Sequence, residues 1–158
     1  MYAIKAIALG SVLALGAFAS DDTDATFRLT PVSTNFSATG ATTLNKSGVT
    51  LNCNANFSGA TDANGGGAVT AATFSGGSVC NSLAAQGFPW AVTADSLTQV
   101  TIQNVTVNSL AGTCGPSAVV AAYDNAAGTL TFNNAPLAGG CTVTGTLTTS
   151  PKITIVTP

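Results

Sequence analysis

Four cysteines, and the turn residues lying midway between them, constrain this chain more than any other feature. Cys80 follows Cys53 by 27 positions, and Cys141 follows Cys114 by the same 27. If each pair faced itself across an antiparallel hairpin, the turns would centre on 66–67 and 127–128. The first midpoint falls inside Asp62-Ala63-Asn64-Gly65-Gly66-Gly67, and the second inside Asp124-Asn125-Ala126-Ala127-Gly128. Asp, Asn and Gly tolerate the positive φ angles that tight turns require. Of the three connectivities that four cysteines allow, this coincidence selects Cys53–Cys80 and Cys114–Cys141. Each disulfide is then expected to clip the open end of a long hairpin. The two units also repeat one another: Cys, strand, Asp/Asn/Gly turn, a strand bearing Thr73-Phe74 or Thr131-Phe132, then Gly76-Gly77 or Gly139-Gly140 beside the second Cys.

Disulfides need an oxidising compartment, and the N-terminus supplies the route to one. Lys5 gives a short positive region, Ile7 to Leu15 an apolar run, and Ala17-Phe18-Ala19 a small-x-small cleavage pattern. This reads as a secretory signal peptide over residues 1–19. The run is shorter than the roughly 20 residues that span a bilayer, so no transmembrane segment is expected after cleavage. An extended acidic segment, 20–32, carries Asp21, Asp22 and Asp24 and reads as a solvated tail. One β domain is expected over 33–158, in a product that is extracellular, at the outer cell surface, or periplasmic.

Composition removes most function classes. Charged residues are 6% of the chain, with 4 Lys+Arg, 6 Asp+Glu and no His, against roughly 25% charged in an average soluble domain. All the acids are Asp, while 25 Thr and 13 Ser make the polar surface one of hydroxyls. Four scattered cations cannot neutralise a nucleic-acid backbone. Helical bundles need the Glu, Lys and Arg that are nearly missing. Without His or Glu the commonest general bases are gone, and neither a Ser-His-Asp triad nor a histidine metal site can be built. Zinc bound by thiolates would want a CxxC pair, and none exists. Asp62 and Asp124 sit on turn tips and read as turn formers, leaving Asp95 alone. Gly65-Gly66-Gly67 lacks the strand–helix setting and the Lys of a phosphate cradle. No catalytic residue, metal or cofactor is expected.

Period-two alternation recurs along the chain. Val49, Leu51, Cys53, Ala55 and Phe57 share one face; Leu130 and Phe132 alternate with Thr129 and Thr131; Val143, Gly145 and Leu147 alternate with threonines. Val100 to Val107 is Val/Ile/Thr-rich throughout and reads as a central strand buried on both faces. Strands are expected near 26–30, 33–39, 48–57, 68–75, 89–94, 98–107, 118–123, 128–133, 142–149 and 152–157. Only Asn81–Gln86 suggests a helical turn. The fold class is all-β: a disulfide-clipped antiparallel β-sandwich or Greek-key barrel of about nine or ten short strands.

Three aromatic residues are the candidate contact residues. Phe88 and Trp90 flank Pro89, and Trp90, the single tryptophan, is either a core plug or a surface for sugar, lipid or a partner chain. Tyr123, beside the Asp124 turn, is expected to be exposed. Low charge leaves edge strands without their usual gatekeepers, so Ala25–Thr30 is a candidate for addition to a neighbouring sheet edge.

Gly87-Phe88-Pro89-Trp90, Cys114-Gly115-Pro116-Ser117 and Cys141-Thr142-Val143-Thr144-Gly145-Thr146-Leu147, running to Ser150-Pro151, resemble the secreted bacterial alkane-oxidation protein activator family (PraB-like). Ser37-Ala38-Thr39-Gly40 fits as well, and the resemblance spans roughly residues 33–158. It implies an exported, non-enzymatic helper of growth on hydrocarbons, associated with emulsification, surface adhesion and biofilm. It brings no catalytic or binding residue with it. The expected function is a surface or matrix protein assisting contact with hydrophobic substrates, by self-assembly or by touching a hydrophobic or cell surface. Two alternatives remain: a fibre subunit joined by strand addition, and a small-ligand or carbohydrate-binding module using Trp90.

Overall fold

The computed structural model describes residues 26–158. The expected signal peptide and the acids Asp21, Asp22 and Asp24 lie outside the described residues. Eleven strands and one helical turn follow in the order β1 (Arg28–Thr30), β2 (Asn35–Lys46), β3 (Val49–Thr61), β4 (Gly67–Ser75), α1 (Ser78–Asn81), β5 (Ala84–Gln86), β6 (Trp90–Ser96), β7 (Gln99–Ser109), β8 (Gly112–Asp124), β9 (Thr129–Leu137), β10 (Cys141–Ser150) and β11 (Thr154–Val156).

Eight of these strands close into a ring. Each pairs antiparallel with the next along the chain, and β10 returns to β2 from Cys141 opposite Lys46 to Ser150 opposite Ser37. Every connection therefore joins neighbours, which is an up-and-down meander and not the crossover pattern of a Greek key. The short β5 shares β7 with β6: β6 pairs with Gln99–Ile102, and β5 with Thr106–Asn108. The expected helical turn at 81–86 is thus misplaced. The helix occupies Ser78–Asn81, just after Gly76 and Gly77 at positive φ, and Ala84–Gln86 is drawn into the ladder that β6 leaves open on β7.

Both disulfides form as expected, Cys53–Cys80 and Cys114–Cys141, with Cα separations of 5.5 and 5.8 Å. The hairpin geometry behind them differs from the expectation. The β3–β4 ladder runs from Asn54 opposite Ser75 to Thr61 opposite Gly67, so the turn centres near Asn64 and Cys80 overshoots the strand into α1. In the second unit β8 pairs with β9 only over Ala122–Asp124, while Cys141 opens β10. Cys53–Cys80 ties β3 to the connection beyond β4, and Cys114–Cys141 ties β8 to the first residue of β10. At loops of about 28 residues, each contributes roughly 3–4 kcal/mol through chain entropy. The turns themselves use the expected acids. Asp62 Oδ1 accepts from the amides of Asn64 and Gly66, and Asp124 Oδ1 from those of Ala126 and Ala127.

Inside the ring, β7 shows how one residue redirects a strand. Asn104 has φ +62 and the β7–β8 register shifts between Ile102 and Val105. The bulge turns Val105 and Val107 onto the face already used by Val100 and Ile102, and all four are buried. The strand is central, as expected, but its aliphatic residues fill one side of it instead of two.

One end of the barrel is covered by a two-stranded ribbon of β1 and β11. β1 and β11 pair from Arg28 opposite Val156 to Thr30 opposite Thr154, and bury Leu29 and Ile155. Ring closure also demands close backbone approach. A Cβ on Gly40 in β2 would be driven into the Thr146 carbonyl of β10, the strand that completes the ring. Gly40→Ala is therefore expected to lower unfolding stability by about 1–3 kcal/mol, read from urea midpoints with both disulfides intact; an unchanged midpoint would show that the β2–β10 seam yields freely.

Candidate functional site

Trp90 stands at the head of β6 with no exposed surface. Phe57 meets its ring edge-on at a centroid distance of 5.7 Å, Phe88 stacks on it at 4.6 Å, and its indole N–H donates to the Gln86 carbonyl at 2.8 Å. These are the contacts of an indole built into a barrel wall, apolar on its faces and satisfied at its one polar atom. Phe88 is half-buried by the same stack. Within Gly87-Phe88-Pro89-Trp90 only Trp90 faces inward; Phe88 covers it, and Gly87 and Pro89 stay exposed.

Tyr123 does not meet its expectation of exposure, being 6% exposed at the end of β8. Its neighbour Asp124 turns outward into the hairpin, and alternation along the strand sends the phenol in. The hydroxyl donates to the Ile153 carbonyl at 2.5 Å and lies 3.4 Å from Thr149 Oγ1. Thr149 Oγ1 in turn donates to Gly128 O and accepts from the Ile153 amide, while Asn125 exchanges two hydrogen bonds with Ile155. The aromatic expected at a surface is instead the latch for the C-terminal strand. Alternation with Val119 and Ala121 could have placed the ring inside, but not its partner, which lies 30 residues away on an irregular segment.

The barrel interior is lined by apolar side chains and holds two small voids. One, of about 50 Å³, is walled by residues including Leu44, Phe74, Leu83, Trp90 and Val143. The other, of about 30 Å³, lies toward the β1–β11 end against Leu29, Tyr123 and Ile153. Phe57 and Ile102 wall both voids. A dry apolar cavity that accepts a benzene ring measures about 150 Å³, so this interior is a packed core. Eight strands commonly give this result, a lumen just wide enough for side chains to fill.

The outer wall is polar without being charged. Cross-strand hydrogen bonds link Thr43 to Asn52, Thr50 to Asn45, Thr113 to Asn108, Thr144 to Asn134, and Thr131 to Thr146, at 2.6–3.0 Å. Such pairs hold a sheet surface in register without ions. Asp95 is occupied by Thr101 Oγ1 and Gln99 Nε2. Among the described residues no three His, Cys, Asp or Glu groups gather as metal ligands, and all cysteines are in disulfides.

The family comparison adds what geometry leaves open. A family model described as alkane oxidation protein activator, PraA/PraB-like, matches residues 1–157. The chain belongs to this family. No curated protein and no solved structure matches the chain. The family resemblance is therefore shown, and the fold places the Phe88–Trp90 and Cys114–Ser117 motifs. One builds the Trp90 wall, the other the strand start that carries a disulfide. The family description is that of an activator, and two disulfides suit an extracellular or periplasmic setting. No helix among the described residues is long and apolar enough to cross a membrane.

Burial raises the Tyr123 phenol above its ordinary pKa of 10.0, with the Thr149 hydrogen bond opposing in part. A group whose folded pKa exceeds its unfolded value contributes stability below the unfolded pKa and loses it as pH rises through the folded one. Unfolding stability should thus fall above about pH 10, and Tyr123→Phe should flatten that fall while costing about 1–2 kcal/mol at neutral pH through the unpaired Ile153 carbonyl. Denaturant titrations of both proteins at neutral and alkaline pH decide this; identical alkaline slopes would remove Tyr123 from the latch.

Proposed function

We propose that the mature protein is an exported, non-enzymatic helper that works by physical contact between its exterior and a hydrophobic substrate. The observation that carries this reading is the filled interior. With voids of about 50 and 30 Å³, the barrel has no room to carry a liquid-alkane molecule inside, so a protein of the alkane oxidation activator family meets its hydrocarbon from outside. Low charge favours this. At 6% charged residues, and with threonine–asparagine pairs on its wall, little ionic hydration must be stripped as the surface approaches oil.

The signal peptide at 1–19 would deliver the chain to the compartment in which its disulfides form. Adhesion, emulsification and matrix roles all follow from such contact and differ only in what lies on the far side. The ligand-module alternative has less support, because Trp90 is enclosed by Phe57 and Phe88. Strand addition through Ala25–Thr30 competes with the pairing of Arg28–Thr30 to β11.

Purified mature protein with intact disulfides is expected to lower hexadecane–buffer interfacial tension in a pendant drop, with Trp90 emission unchanged when hexadecane is dissolved below saturation. Unaltered tension would overturn contact by the exterior. A hexadecane-dependent shift of Trp90 emission would relocate the site to the interior.

A further inference from the structure

The meander sorts its turns by end, and the two ends differ in chemistry. At the β1–β11 end lie Arg28 in β1, Asp62 in the β3–β4 turn, Asp95 before the β6–β7 turn, Asp124 in the β8–β9 turn, and Lys152 beyond β10. The opposite end holds the β2–β3 turn, the 76–83 link, the β7–β8 turn and the β9–β10 turn. Its one ionised side chain among the described residues is Lys46. Among the described residues no acid pairs with Lys46; its ammonium donates to the Gly139 carbonyl at 2.6 Å and the Thr113 carbonyl at 3.2 Å, tying three of those connections together.

That same rim displays aliphatic side chains. Leu110 is 76% exposed, the most exposed large hydrophobic residue described, and Val49 and Val79 are 44% and 40% exposed. Leu110 sits at the tip of a two-residue turn stiffened by Ser109, whose Oγ donates to Gly112 O and accepts from the Ala111 amide. Val79 projects from α1, pinned through Cys80 to β3, and lines a groove with Thr50, the neighbour of Val49. Hairpin tips ordinarily carry Asn, Asp, Ser or Gly; here the tip carries leucine and is braced. The other end also exposes aliphatics, Val32 and Leu97 at 42% each and Val156 at 38%, but among five charged groups.

We infer that the barrel is an amphiphile along its axis, and that the rim of Val49, Val79 and Leu110 is the surface that enters a hydrocarbon–water interface. This rests on the exterior-contact reading above and assigns it a place. A rim whose single described ion, Lys46, already donates to two backbone carbonyls suits an uncharged apolar phase, since insertion removes aliphatic area from water with little ionic hydration to strip, while the end with five charged groups holds the molecule upright in the aqueous layer. The disulfides and Lys46 keep the rim rigid, so little ordering is needed on adsorption.

The test compares mature protein with the double variant Leu110→Asp, Val79→Asp and with the opposite-end control Val32→Asp, Leu97→Asp. Pendant-drop tension against hexadecane is the readout, after circular dichroism and disulfide mapping show each fold intact. The rim variant is expected to need about tenfold more protein for equal tension lowering, and the control to follow wild type. Equal loss in both variants, or in neither, with wild type active, overturns the rim and leaves exterior contact standing; an inactive wild type overturns exterior contact itself. As a second measurement, emission from Leu110→Trp should shift to the blue on hexadecane droplets and that from Leu97→Trp should not, with enclosed Trp90 as a constant background. The reverse pattern contradicts the orientation. So does a rim that proves to be a dimer contact, shown by sedimentation that changes in Leu110→Asp while adsorption does not.

Discussion

Closure of the strand ring by the β2–β10 ladder is the constraint on which the remaining structure depends. A β protein with 6% charged residues has almost none of the lysines and acids that keep exposed sheet edges from pairing with other chains. An open sheet of this composition would expose rows of unpaired amides flanked by threonine and valine. Pairing Cys141–Ser150 with Ser37–Lys46 removes that hazard by leaving the meander no first and last strand. Glycine at position 40 is then required by closure, because the Thr146 carbonyl stands where a side chain would begin. The places where the ladders thin out are those the disulfides cross. One bond runs from β3 to the α1 turn between β4 and β5, the other from β8 past the end of β9.

Local chemistry was legible in the sequence, and its long-range consequences were not. The Asp62 and Asp124 turns, the inward series Cys53, Ala55 and Phe57, and the disulfide partners all follow from residue type and spacing. The equal spacing of the cysteines reflects a repeated unit, β3–β4 and β8–β9, and so it selected the right pairs even though neither pair sits across a ladder. A shift of the first turn from 66–67 to near Asn64 moved Cys80 off its strand, a scale of error that spacing cannot resolve. In β7 the rule of alternation failed at Asn104, where positive φ inserts a bulge that a list of apolar residues does not announce. β2 was read only to residue 39 because Gly40-Ala41-Thr42-Thr43 has no apolar alternation; its register is imposed by the two neighbours that enclose it.

The aromatic residues show the same division at the candidate site. The sequence offered Phe88, Trp90 and Tyr123 as candidate contact residues, with Trp90 either core or surface and Tyr123 exposed. They touch the protein. Trp90 seals the barrel wall and Tyr123 fastens the C-terminal strand over one end. With the large aromatics spent on the core, the exterior is left to threonine, asparagine and a few aliphatic turn residues. Family membership speaks of alkane oxidation, while the fold offers a packed lumen and a nearly ion-free outside; the two are compatible if the hydrocarbon is met as a surface and not swallowed as a molecule.

Residue-resolved amide hydrogen exchange on the oxidised protein tests ring closure most directly. If β2 and β10 bond each other while β2 also bonds β3 and β10 also bonds β9, amides along Ser37–Thr39 and Thr42–Asn45, and at Thr142, Val143, Gly145 and Thr148, will exchange among the slowest in the chain, with protection on successive residues because both sides of each strand are paired there. Protection on alternate residues only, the signature of an edge strand, along either β2 or β10 would mean that the ring is open and would contradict this account.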